Sequence, residues 1–201
     1  MHKNRLESFS DCVLSIIITI MVLELKAPAR ADFSALMELV PTFLSYVLSF
    51  LFLAIYWNNH HHMLHTIRRV NGAILWGNIH LLFWLSLIPF TTAWLDRHPL
   101  EPVPIALYGG VLLMSAASFT LLQRIIIHAH GADEVVGRAL SGDMRGKISL
   151  LIYLSAIGLA FVQPVISHLL YLAVALLWVV PDRQIEQVLR DHEAKSAKPP
   201  A

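Results

Sequence analysis

The sequence predicts an all-α membrane protein with six transmembrane helices per chain. Its 201 residues are 56% hydrophobic and only 14% charged, and the mean hydropathy is +0.61, which are not values of a soluble globular domain. Several stretches without Asp, Glu, Lys or Arg reach the roughly 20 residues that cross a bilayer as a helix. A net charge of +1 without a basic stripe predicts no nucleic-acid partner.

The first predicted helix, residues 5–26, joins a polar leading end to a short apolar run. Five polar or charged residues crowd its start: Arg5, Glu7, Ser8, Ser10 and Asp11. Only twelve uncharged residues then separate Asp11 from Glu24, which is about 18 Å of helix. Such a run is short for a helix that faces lipid, so we expect other helices or water to shield its ends.

The second, third and fourth helices are predicted at 37–63, 71–95 and 102–128. Residues 39–67 and 70–95 contain no Asp, Glu, Lys or Arg, as expected of membrane spans. In the fourth helix, Gly109, Gly110 and the small residues at 115–118 predict a face that allows close helix packing in lipid.

The last two helices are predicted from one uncharged stretch, 148–181. As a single helix its 34 residues would be about 51 Å long, too long for a bilayer. Polar and helix-breaking residues interrupt it at 163–168, so we predict two helices, 147–163 and 168–181. The chain then divides into a six-helix membrane domain, 1–183, and a charged cytoplasmic tail, 184–201.

The distribution of positive charge predicts the orientation of these six helices. With the N-terminus inside, twelve Lys and Arg residues lie on the cytoplasmic side, and the outer loops hold only Lys26, Arg30 and Arg97. Cytoplasmic loops carry an excess of Lys and Arg. We therefore predict a multi-pass protein of the cell membrane with both termini cytoplasmic.

One stripe runs along the first helix. At 100° per residue from Ile16, its members fall within about 40° of one line, with Thr19 about 60° to the side: Arg5, Phe9, Cys12, Ile16, Ile20 and Leu23. Ser10 and Asp11 lie roughly 120 to 140° away and are expected to face neighbouring helices. The stripe is either ordinary packing surface or, if several copies surround an axis, a constriction that gates by dewetting.

Three motifs resemble the transmembrane protein 175 family, the endosomal and lysosomal potassium channels and their prokaryotic relatives. Arg5-x-x-x-Phe9-Ser10-Asp11 leads into the first helix. Trp57-x-x-His60 ends the second helix, and the third helix contains Asn78 and ends with the pair Pro89-Phe90. Together with the closing "LLWVVPDRQ" at residues 176–184, the resemblance covers nearly the whole chain.

The resemblance implies a passive, potassium-permeable cation channel in the lipid bilayer, a homotetramer whose first helices line a central pore. No TVGYG-like filter occurs in the sequence. By position, Ile16 would form the narrowest apolar ring, Ile20 and Leu23 would extend it, and Thr19 would contact K⁺. A polar network would anchor the first helix: Arg5, Phe9, Ser10, Asp11, Trp57, His60 and Asn78.

Two other functions stay open at this point. A histidine cluster invites a metalloenzyme interpretation: His60, His61, His62 and His65. Membrane di-iron enzymes use several such clusters, whereas this sequence has one. We therefore predict that the protein is not an enzyme, that it has no cofactor, and that metal binding is at most adventitious. An ion-coupled secondary transporter is the stronger alternative, although no Asp, Glu, Lys or Arg sits in the middle of a predicted span.

Overall fold

A computed structural model describes residues 3–67, 69–130 and 144–179, and within these ranges the chain forms eight helices and no strand. The helices are α1 (Lys3–Leu23), α2 (Phe33–Glu38), α3 (Val40–His65), α4 (Gly72–Ser86), α5 (Ile88–Arg97), α6 (Pro102–Ala129), α7 (Met144–Leu159) and α8 (Pro164–Val179). The predicted all-α class is confirmed. The predicted tail, 184–201, lies outside the described residues.

Among the residues that the structure describes, four helical segments are long and apolar enough to cross a membrane: α1, α3, α6 and the combined segment Gly72–Arg97. The shorter helix α8 is also apolar, and α7 has 16 residues. The multi-pass character of the protein follows from these segments, whereas the count of six crossings stays a prediction.

Prolines divide two of the helices that were predicted as continuous. The predicted helix 71–95 is interrupted at Leu87, two residues before Pro89. Pro89 has no N–H to donate to the carbonyl four residues earlier, so the regular ladder cannot continue. The Leu87 amide instead donates to the carbonyl of Trp84 at 3.2 Å. The predicted helix 37–63 likewise begins only at Val40, after a break at Leu39 that precedes Pro41.

The last turn lies about four residues earlier in the structure than predicted. Residues 160–163 form the turn, so the predicted helices 147–163 and 168–181 are instead α7 and α8. Pro164 opens α8 because a missing N–H costs nothing at the first position of a helix. The hydroxyl of Ser167 donates to the carbonyl of Ala156 at 2.7 Å and closes the hairpin. At the other end of the chain, α1 stops at Leu23 rather than at 26.

The helix α6 occupies the centre of the subunit. It packs against α4, α5, α7 and α8, whereas α1 packs against α3, α4 and α5. The core between these helices is apolar, with fully buried side chains such as Leu53, Ile74, Ile105 and Leu112. The first helix therefore lies at one side of the subunit, and part of its surface is uncovered.

Candidate functional site

The two sides of α1 differ sharply in exposure. The side that packs against α3, α4 and α5 is buried: Leu6, Ser10, Leu14, Ile17 and Met21. The predicted stripe is uncovered, with Ile16 54% exposed, Ile20 46% and Leu23 72%. Its remaining members are exposed as well: Arg5, Phe9, Cys12 and Thr19. The structure therefore leaves the predicted stripe on the uncovered face of α1.

A buried chain of hydrogen bonds fixes the polar end of α1. The amide nitrogen of Asn78 on α4 donates to the hydroxyl oxygen of Ser10 at 3.0 Å, and Ser10 donates to the carbonyl of Leu6 at 2.8 Å. The His60 Nε2 of α3 lies 2.6 Å from the amide oxygen of Asn78. An amide oxygen only accepts, so His60 Nε2 carries the proton. Three helices thus meet at three buried polar side chains.

A second polar link joins α1 to α3. The indole N–H of Trp57 donates to the Asp11 carboxylate at 3.0 Å. Of the possible donors near the predicted network, Trp57 is therefore the partner of Asp11, while His60 and Asn78 belong to the chain that ends at Ser10. The link lies at the edge of the bundle, since Trp57 is 44% exposed.

Two members of the predicted network lie elsewhere. Phe9 is 51% exposed, and Arg5 is exposed and makes no hydrogen bond or ion pair within the described ranges. The physical reason is their position on the stripe with Ile16, which directs them away from α3 and α4. The structure does not bring them to Ser10, so their anchoring role stays a prediction.

The hydroxyl of Thr19 bonds to its own helix. It donates to the carbonyl of Ser15 at 2.8 Å, a common arrangement for Thr inside a helix. This bond uses the hydroxyl hydrogen and leaves oxygen lone pairs. Thr19 is an exposed residue on the uncovered side of α1.

An open groove of about 710 Å³ runs between α1 and α5 beside the stripe. Its walls are mainly apolar, with Ile16 and Ile20 on α1 and Phe90 and Trp94 on α5. At one end Arg97 lies 3.9 Å from the carboxylate of Glu24. The free face of α1 therefore continues into a concave apolar surface.

Two histidines of the predicted cluster have an acidic partner, Glu7, that the sequence did not predict. Glu7 of α1 lies 3.4 Å from Nδ1 of His61 and 3.6 Å from Nε2 of His65. The i, i+4 spacing of the two histidines signals that they share one face of α3. Their carboxylate partner comes from a different helix, and nothing in the sequence spacing indicates that contact.

Comparisons with known proteins agree with this architecture. A family model described as endosomal/lysosomal potassium channel TMEM175 matches residues 5–89. A protein of Chryseobacterium sp. (strain P1-3), named a potassium channel, is 45% identical over 96% of this chain and 100% of its own length. A Chamaesiphon minutus protein, also named a potassium channel, is 33% identical over 68% of this chain and 70% of its own length.

A solved structure has the same fold. The crystal structure of a lysosomal potassium-selective channel TMEM175 homolog from Chamaesiphon minutus superimposes with a TM-score of 0.74 and 28% sequence identity. The match covers 89% of this chain and 96% of the other. The packing of α1 against the rest of the bundle therefore belongs to that fold.

Proposed function

Because this chain belongs to the TMEM175 potassium channel family, we propose that copies of α1 from several chains line a central potassium-permeable pore. The protein is a multi-pass membrane channel rather than an enzyme or a transporter, since relatives that match most of its length are named potassium channels. The conduction pathway is proposed from the exposed stripe of α1.

The exposed stripe of α1 is the observation that carries the assignment of the pore. The uncovered side of this helix mixes apolar residues with polar ones, Arg5, Ser15 and Thr19 among them. Polar side chains that face lipid are costly, whereas those that line a water-filled path are not. A shared axis accounts for both kinds of residue and gives Arg5 a water-filled mouth, whereas the hydroxyls of Ser15 and Thr19, which donate to carbonyls of their own helix, suit either surface.

The constriction is assigned to Ile16, Ile20 and Leu23. Along the helix these residues extend over about 10 Å at 1.5 Å per residue. Rings of such side chains close a pore to water and ions when they approach each other. Thr19 is an exposed residue between Ile16 and Ile20, and we assign it as the side chain that contacts a partly dehydrated K⁺.

The assembly we propose is a homotetramer of six-crossing subunits in the cell membrane, with both termini cytoplasmic. The excess of Lys and Arg in the predicted inner segments supports the orientation. The groove between α1 and α5 supports the assembly, because an apolar concave surface beside the pore helix suits the α1 of a neighbouring copy. The Ser10, His60 and Asn78 chain would hold each α1 at a fixed distance from the axis.

Potassium flux in liposomes tests the function directly. Purified protein in liposomes with a K⁺ gradient alone should release K⁺ passively, without saturation at millimolar concentrations. Matched liposomes lacking protein are the control, and the flux should be the same with Na⁺ absent and the pH gradient collapsed. A strict requirement for a proton or sodium gradient would contradict the proposal.

A further inference from the structure

We propose that Glu7, His61 and His65 bind a divalent transition-metal ion, best matched by Zn²⁺, at the side of α1 that faces α3. One ligand atom from each residue lies within 4.8 Å of the others. Two imidazoles and a carboxylate are ligands that zinc takes in proteins, with a water completing the tetrahedron. This site is separate from the stripe to which the pore is assigned.

The distances match those between ligands of one zinc ion. Ligand bonds of about 2.0–2.2 Å at tetrahedral angles place neighbouring ligand atoms about 3.4 Å apart. The carboxylate oxygen of Glu7 lies 3.4 Å from His61 Nδ1 and 3.6 Å from His65 Nε2. Two of the three ligand-to-ligand edges therefore already have the required length, and all three ligand atoms lie within 4.8 Å of one another.

The same distances show that neither histidine makes a short charged hydrogen bond to Glu7. Direct charged hydrogen bonds from nitrogen to a carboxylate are about 2.7–2.9 Å long, shorter than either separation. Both imidazoles instead approach one oxygen, Glu7 Oε1, from the same face of α3. The arrangement leaves space for an ion between the three ligand atoms.

The ligands are held by rigid elements and remain accessible. His61 and His65 lie one turn apart on α3, with ring centroids 4.4 Å apart. Lys3 donates to the backbone carbonyl of His65 at 3.3 Å and so ties the start of α1 to the same turn. The side chains of His61 and His65 are 39% and 49% exposed, so an ion can enter and a water can complete its coordination.

The position of Glu7 means that a bound metal ion would hold α1 in place against α3. Glu7 lies about 180° around the helix from Ile16 at 100° per residue, directly behind the stripe. A metal ion would therefore clamp α1 to α3 one turn from the Asp11 and Trp57 link, without entering the proposed pore. Metal binding itself does not depend on the pore assignment.

Zinc titration of the purified protein, prepared without a polyhistidine tag, tests the site. We expect saturable Zn²⁺ binding at one ion per chain, with the affinity at least about tenfold lower in Glu7→Gln and in His65→Ala. The matched control is His62→Ala, which removes a neighbouring histidine outside the ligand set. Each variant is first shown to elute as the parent protein does.

Two results would overturn the site. One is a loss of affinity in His62→Ala as large as in Glu7→Gln, which would indicate adventitious binding to the histidine run. The other is equal zinc binding by the parent protein and the His61→Ala/His65→Ala double variant. Potassium flux from the same preparations separates this proposal from the channel proposal, because zinc binding with the expected variant pattern upholds the site even if no flux occurs.

Discussion

Ile16 and Ile17 show how one step along α1 changes the role of a residue. Ile16 is 54% exposed and Ile17 only 4%, because successive helical residues are 100° apart. Ile17 packs inside its own subunit, whereas Ile16 has no cover there. The difference makes Ile16 the residue at which pore lining and core packing can be separated by mutation.

We expect Ile16→Asn and Ile16→Ala to increase ion leak, because a polar or smaller side chain hydrates or widens an apolar ring. Potassium flux in liposomes and single-channel conductance measure the effect. Ile166→Asn on α8 is the matched control, since Ile166 is also exposed, at 41%, but lies far along the chain from the stripe. Unchanged conductance and gating in both Ile16 variants would remove the ring from this position.

At the residue scale, the sequence predicted which residues share a side of α1 better than it predicted which residues they contact. Helical periodicity separated Ser10 and Asp11 from the stripe that contains Ile16, but it left open whether that stripe is packing surface or a constriction. It could not predict that Glu7 meets His61 and His65, because that contact depends on how far α1 is displaced along α3. The anchoring role of Arg5 and Phe9 came from the family resemblance, whereas periodicity placed both on the free stripe.

At the scale of the elements, α1 is fastened to α3 and α4 by few polar contacts. Asn78 joins the two partners in the buried chain, since it donates to Ser10 and accepts from His60. Apolar packing alone leaves a helix free to slide or rotate in lipid, where water release does not drive helices together. Buried polar contacts of this kind specify one position for α1.

We expect Asn78→Ala to lower the stability of the subunit by about 1–3 kcal/mol, because it leaves the His60 N–H buried without an acceptor. Thermal melting in detergent measures the loss, and a shift in gating should accompany it. Asn59→Ala is the matched control, since the Asn59 amide donates only to the carbonyl of Ile55 in its own helix. Equal losses in the two variants would show that Asn78 has no special role.

The close contact between α6 and α8 depends on one glycine. A Cβ at Gly109 would overlap the hydroxyl of Tyr171, whereas a Cβ at Gly110 would meet nothing within 4 Å. Tyr171 cannot move freely, because it is fully buried and its hydroxyl donates to the carbonyl of Ile105 at 3.0 Å. Small residues allow helices to approach this closely in lipid.

Gly109→Ala should therefore destabilise the bundle by about 1–3 kcal/mol, the usual cost of overpacking. Gly110→Ala should leave the melting temperature unchanged or raise it slightly, because Ala favours the helix more than Gly. The two melting temperatures, measured in one detergent, check the difference. A Gly109→Ala variant as stable as Gly110→Ala would mean that Tyr171 has another place to go.

The helices themselves could be predicted from uncharged stretches, but the exact residues at which prolines interrupt or begin them could not. Length and hydropathy do not distinguish a proline that ends a helix from one that begins the next. Pro89, Pro41 and Pro164 all lie in the first turn of a helix, where the missing N–H is harmless. The turn lies at 160–163 rather than at the predicted 163–168, because Pro164 begins α8 and does not end α7.

At the scale of the whole molecule, the subunit is asymmetric. Its core surrounds α6, and α1 is covered by α3, α4 and α5 on one side only. The exposed apolar groove beside α1 continues this uncovered side. Helical periodicity in a single sequence can group the residues of such a face, but it has no signal for the number of copies in the proposed assembly.

Cys12 provides a built-in test of the assembly, because it is the single cysteine of the chain and lies exposed on the stripe. In a tetramer with α1 at the centre, native mass measurement in detergent should give four times the 22.6 kDa of one chain. Mild oxidation should then join pairs of chains through Cys12. The control is Ile166→Cys in a Cys12→Ser background, which places the thiol at an exposed position of α8 away from the proposed central α1 and should not cross-link. A monomeric or dimeric mass would contradict the tetramer, and cross-linking as efficient at position 166 would contradict a central α1.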